Sequence, residues 1–140
     1  MTLGEKLFEE VGKISGLKVV KVHPLEGVTT ENTFMSDIKG IGKYPSGKNL
    51  ASGTITRYSH GIIDGSWQGT LTSELGVQFM WWSHEKSKVV EGGEIKGLNV
   101  TTGFTNSPEL SWMNNLIIVI ELSGSVLSDE FSAVGYEWIC

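Results

Sequence analysis

The sequence predicts an all-β fold: an antiparallel up-and-down barrel of about eight strands with a short N-terminal helix, with a sandwich as the runner-up. Three observations predict it. The 18 glycines are spread along the 140 residues, as turns and bulges require, rather than gathered in one segment. Short runs of alternating apolar and polar residues recur at regular spacing between turn residues. A helical period appears once, at the start, and does not return.

The elements follow in order. Leu3, Leu7, Phe8, Val11 and Ile14 fall on one stripe, which predicts a helix over residues 2–15. Thr2 and Glu5 have capping-box spacing, and Gly16 supplies a left-handed stop. Gly4 and Gly12 weaken this helix by roughly 1 kcal/mol each against alanine. Leu17 to His23 alternates and ends at Pro24, which predicts the first strand. Asn32 to Ile41 is the second, followed by the turn Tyr44-Pro45-Ser46-Gly47. The clearest hairpin pairs Leu50–Tyr58 with Ile62–Thr72 across Ser59-His60-Gly61. In its return strand Ile63, Gly65, Trp67, Gly69 and Leu71 share one face, so the glycines leave room for a ring lying flat on the sheet. Val77–Trp82 and Glu94–Thr102 flank a charged link. Leu110–Leu122 follows the turn Asn106-Ser107-Pro108, and Ala133–Ile139 closes the chain after a turn at residues 123–128. The expected organisation is one domain over 1–140, with the helix in 1–16 and the barrel in 17–140.

A chain of this length buries roughly 70% of its unfolded surface, enough for a core without disulfides or a structural metal. The single cysteine, Cys140, excludes a disulfide framework within the chain and any four-cysteine zinc site. That usage fits a cytoplasmic protein. The start of the sequence has neither the basic residues nor the apolar run of a signal peptide. The longest apolar stretch, Leu116 to Ile120, is too short for a helical membrane span, so no membrane partner is expected. Net charge is −5, with scattered lysines and one arginine, Arg57, so no nucleic-acid partner is expected either.

Several segments resemble a family of short microbial proteins of uncharacterised function. They are Gly12-Lys13-Ile14-Ser15-Gly16 before a Lys-Val-Val strand, the hairpin Gly53 to Gly69 with Trp67-Gln68-Gly69, Met113-Asn114-Asn115 before an apolar strand, and the ending Tyr136-Glu137-Trp138. The chain departs from that pattern at Ala51-Ser52-Gly53-Thr54, where a Gly-Glu-Gly-Gln-Gly-like run is expected. The resemblance implies an eight-stranded barrel of calycin-like or allene-oxide-cyclase-like shape. It carries no catalytic residues over to this sequence.

Chemistry-bearing residues are few. Of the three histidines, His60 lies in a turn and His23 beside Pro24, which reads as solvent exposure. His84-Glu85 alone does not make the converging ligand set that zinc needs, so no metal and no cofactor are expected. Asp64, Glu121 and Glu137 each interrupt a strand pattern. They are either general acids or bases facing a dry pocket, or solvated charges that discourage edge pairing. No Gly-x-Ser-x-Gly elbow is present. Gly40-Ile41-Gly42 and Gly92-Gly93 precede no helix, which excludes a phosphate loop.

The aromatics are more suggestive. An eight-stranded barrel is just wide enough to be filled by side chains or to hold one small ligand. Tyr58, Trp67, Trp81, Asn114 and Asn115 are the expected lining, suited to a small hydrophobic or aromatic molecule. The alternative is that these rings simply fill the core. Arg57 could anchor a ligand carboxylate, but alternation sets it opposite Tyr58. The strands around Phe79–Trp82 and Leu116–Ile120 are apolar on both faces, which predicts cover from a second subunit or from the helix. The leading expectation is thus a ligand-binding barrel that forms a homo-oligomer. The alternatives are an acid–base enzyme of isomerase or cyclase type, and a structural or oligomerisation module.

Overall fold

The structure is a computed structural model and describes residues 2–139. Eight antiparallel strands close into an up-and-down barrel, each paired with its neighbours in sequence and the last with the first. They are β1 (Thr2–His23), β2 (Gly27–Gly40), β3 (Gly47–Arg57), β4 (Ile62–Ser73), β5 (Gln78–Val89), β6 (Glu94–Phe104), β7 (Ile118–Ser125) and β8 (Glu130–Ile139). Two 3-10 segments, Glu91–Gly93 and Pro108–Asn115, lie in the connections.

The expected N-terminal helix is corrected: residues 2–15 are the first half of β1, a 22-residue strand paired with β8 on one side and β2 on the other. Within this stretch Phe8 and Glu10 are buried while Glu9, Val11 and Lys13 are exposed, the period of two expected of a strand. Leu7 and Phe8 are adjacent and both buried because the β1–β8 register slips between Lys6 and Phe8. That slip makes a strand mimic the adjacent apolar positions of a helix. Gly12 confirms the assignment, because a Cβ there would strike the Phe131 ring and Ser36 Cβ.

Other boundaries moved too, and β2 starts at Gly27 rather than Asn32. β5 continues through the charged link to Val89, since Ser83, Glu85 and Ser87 point inward and are buried between exposed neighbours. The expected strand from Leu110 begins only at Ile118, and the residues before it form the 3-10 segment that buries Met113.

The core lies inside the barrel, where Phe79, Leu71, Met113 and Ile118 are the most completely buried large side chains. The rings fit because glycines stand opposite them in the sheet. Gly53 pairs with Trp67, and a Cβ on Gly53 would lie 2.5 Å from the Trp67 ring. Gly69 pairs with Trp81, and a Cβ there would lie 2.7 Å from that ring. One end of the barrel is closed. Tyr44, from the β2–β3 loop, packs its ring 5.0 Å from Phe8 and 6.4 Å from Trp112, with Met113 and Leu116 buried nearby in the core. The hairpin turns after β1, β3, β5 and β7 ring the opposite end.

Candidate functional site: a polar-lined cavity inside the barrel

The barrel encloses a cavity of about 140 Å³ that reaches toward the turn end, where Arg57, Ser125 and Ser128 line it. Its walls are mostly rings and branched aliphatics, among them Phe34, Trp67, Phe79 and Trp81. Asp129 and Glu130 line it at the turn end, where they are exposed, and two more carboxylates lie deeper: Glu10 from β1 and Glu85 from β5. Both are buried, which is costly for a charge unless partners compensate.

Their partners differ. Glu85 is satisfied at both oxygens: Trp67 Nε1 donates to Oε1 at 2.9 Å and Ser87 Oγ to Oε2 at 2.7 Å. Glu10 is satisfied at one. Ser36 Oγ donates to Oε2 at 2.5 Å and Asn49 Nδ2 donates to the same atom at 3.3 Å. Asn49 is held in turn by Trp81 Nε1, which donates to its Oδ1 at 3.1 Å. Among the described residues Glu10 Oε1 has no hydrogen-bond partner, and neither has the Tyr44 hydroxyl. Both atoms have some exposed surface; among the described residues the fully buried side-chain polar atom without a partner is Asn99 Oδ1, whose residue also lines the cavity.

Electrostatics follow from this placement. Burial pushes the Glu10 carboxyl above the usual carboxylate range, and the hydrogen bonds from Ser36 and Asn49 only partly oppose it. Burial also pushes the Tyr44 hydroxyl up, with the nearby Glu10 charge adding to the effect. The closed end therefore carries a carboxyl that holds its proton more tightly than usual beside a phenol that stays neutral.

Of the residues the sequence singled out as lining, Trp67 and Trp81 are on the cavity wall. Tyr58 is outside, stacked on His60 with ring centroids 5.5 Å apart. Asn114 ties the 3-10 segment to the end of β6, accepting from the Thr105 amide at 2.8 Å and donating to the Thr105 carbonyl at 3.1 Å. Asn115 is exposed. Arg57 lines the mouth, and Tyr58, its neighbour in sequence, does not. The carboxylates proposed for acid–base work do not meet the cavity. Asp64 faces outward toward Lys86 Nζ at 3.1 Å and His84 Nε2 at 3.3 Å, Glu121 is exposed, and Glu137 is half-buried away from the cavity wall. His23 ends β1, its Nδ1 accepting from the amides of Leu25 and Glu26 in the turn that follows. Among the described residues no three His, Cys, Asp or Glu side chains converge as a metal site would need.

Sequence reasoning missed Glu10, Tyr44 and Glu85. Glu10 interrupts the apolar stripe of the apparent helix, at i+3 from Leu7 and i−4 from Ile14, and Glu85 lies in the apparent charged link. The signal for Glu85 was the alternation Phe79, Trp81, Ser83, Glu85, Ser87, which places it on the inward face.

An eight-stranded up-and-down barrel with a mostly apolar interior that carries two buried carboxylates defines the class of protein. No protein-family model matches the sequence, and no curated protein is similar to it in sequence. Solved structures share its fold. A protein of unknown function from Clostridium acetobutylicum superposes with a TM-score of 0.83 at 15% identity, covering 99% of this chain and 100% of its own. A β-barrel-like protein from Acinetobacter baumannii gives 0.79 at 14% identity, over 97% of this chain and 94% of that one. An enzyme from Penicillium herquei gives 0.65 at 12% identity, over 98% and 97%. The likeness to small microbial barrels of unknown function is thus met in the fold.

Proposed function

We propose that this barrel binds one small, largely apolar molecule in its interior, in keeping with the resemblance to calycin-like barrels. The observation that carries this reading is the cavity, whose walls combine rings with unsatisfied polar atoms. Its size decides the class of ligand. A cavity of about 150 Å³ is enough to hold benzene, so the space here suits a molecule of one ring with a polar substituent. A space that served only as packing would be expected to be apolar throughout, because buried polar groups without partners cost roughly 1–3 kcal/mol each. The test is native mass spectrometry and NMR with phenol and cyclohexanone as probes. Retained mass on the folded protein, with shifted Trp67 and Trp81 indole signals, supports the reading. It should be lost in Ala133→Leu, which fills the cavity wall. Absence of both signals at millimolar probe would overturn it.

The enzyme reading is the second, favoured by the unpartnered Glu10 oxygen at the cavity and in keeping with the Penicillium herquei enzyme of similar shape. The cytoplasm is the compartment we assign, on composition alone. A second copy of this chain is the partner we assign to the outward face of β5 and β6. There Met80 pairs with Phe104 in register, and Trp82, Leu98 and Val100 extend the same apolar face, all five exposed.

A further inference from the structure

The closed end of the cavity holds two reactive groups that packing does not explain. Glu10 is more than nine-tenths buried, yet both donors it meets fall on Oε2, leaving Oε1 free. Tyr44 is equally buried and its hydroxyl is also without a partner among the described residues. Structure spends several residues on holding Glu10 in this state: Trp81 fixes Asn49, and Asn49 and Ser36 fix one carboxylate oxygen. A side chain oriented this firmly, with its second oxygen left toward a ring-sized space, is arranged to meet a ligand atom.

We propose that this end is a proton-transfer site for a single-ring ketone with a hydrogen on the carbon beside its carbonyl. Glu10 Oε1 removes that proton, and the Tyr44 hydroxyl donates a hydrogen bond to the carbonyl oxygen. The C–H bond breaks, its electron pair forms the C=C bond of the enolate, and the carbonyl π pair moves onto oxygen. The proton stays on Glu10 and returns either to the same carbon, which gives exchange, or to a conjugated one, which gives an isomer. No oxidant, reductant or co-reactant is needed. The inference rests on the binding reading and adds the chemistry of the head group.

Burial suits both roles. A carboxylate that holds a proton tightly is a stronger base once ionised, and a phenol kept neutral remains a donor. Glu85, Arg57, Asp129 and Glu130 line the same cavity nearer its mouth, and Glu85 has both oxygens occupied. None of them shares the closed end with Tyr44.

The experiment follows hydrogen–deuterium exchange at the α-carbons of cyclohexanone by NMR in D₂O, beside the indole shifts that report binding. The protein should accelerate exchange over buffer. Glu10→Gln should reduce the acceleration by about a hundredfold or more while the indole shifts persist. Tyr44→Phe should slow exchange without abolishing it. The rate should rise with pH as Glu10 loses its proton, through a value above the ordinary carboxylate range. If Glu10→Gln fails to fold, Glu10→Asp withdraws the carboxylate by one methylene and should lower exchange with binding kept. Probe bound but exchange unchanged in the Glu10 variants would overturn this inference alone. No indole shift in the wild-type protein would overturn the binding reading and this one with it.

Discussion

Burial of Glu10 sets a pH dependence of folding. Its carboxyl is raised in the folded chain relative to the ordinary value of about 4.3. The folded state therefore holds the proton that the unfolded state has already released, so Glu10 favours folding in acid, and this contribution is lost as pH rises through its raised value. Glu10→Gln removes the titration. The variant is expected to gain stability relative to wild type as pH rises above about 4.3 and to lose that advantage toward pH 4, read as the difference in melting temperature across pH. Glu85 gives a different test. Trp67→Phe keeps one aromatic ring and removes the Nε1 donor, leaving Glu85 Oε1 buried without its partner. The expected loss is at least about 1–3 kcal/mol in urea denaturation, from the desolvation of an unpaired acceptor, with the lost indole volume adding to it.

At the scale of the element, β1 separates two readings of the same residues. If residues 2–15 were a helix, Gly12→Ala would stabilise the protein by roughly 1 kcal/mol through helix propensity. In the strand the new Cβ meets the Phe131 ring and Ser36, so Gly12→Ala is expected to destabilise. The sign of the change in a urea melt decides it. The apolar stripe Leu3, Leu7, Phe8, Val11, Ile14 was legible; its meaning was not, because a register slip places Leu7 and Phe8 inside together and leaves Val11 exposed. β5 shows the converse. Its alternation continues unbroken from Phe79 to Ser87, but the inward positions change from rings to Ser83, Glu85 and Ser87. Hydropathy alone reads that change as the end of a strand, whereas the barrel simply becomes polar inside.

For the molecule as a whole, closure into a barrel leaves the outward face of β5 and β6 apolar. Analytical ultracentrifugation is expected to show concentration-dependent association, weakened in Val100→Glu, which places a charge in the middle of that face. A monomer at all concentrations would remove the second copy from the proposal and leave the interior site untouched. Among the described residues no helix is long and apolar enough to cross a membrane.

The spacing of turns and the alternation of apolar residues determined eight strands after residue 16, joined by short connections, because a period of two and short connections are local properties. They put Trp67 on one face of its strand with Ile63 and Leu71, whereas Trp81 lies between Met80 and Trp82, so only the closed barrel decided that it points inward opposite Gly69. Tertiary structure alone decided that the first segment is a strand, because only pairing with β2 and β8 outweighs its helical stripe. It alone brought Glu10, Tyr44 and Asn49 to one end of one cavity. These residues come from a strand, a loop and another strand far apart in the chain, and convergence in space leaves no mark on spacing in sequence.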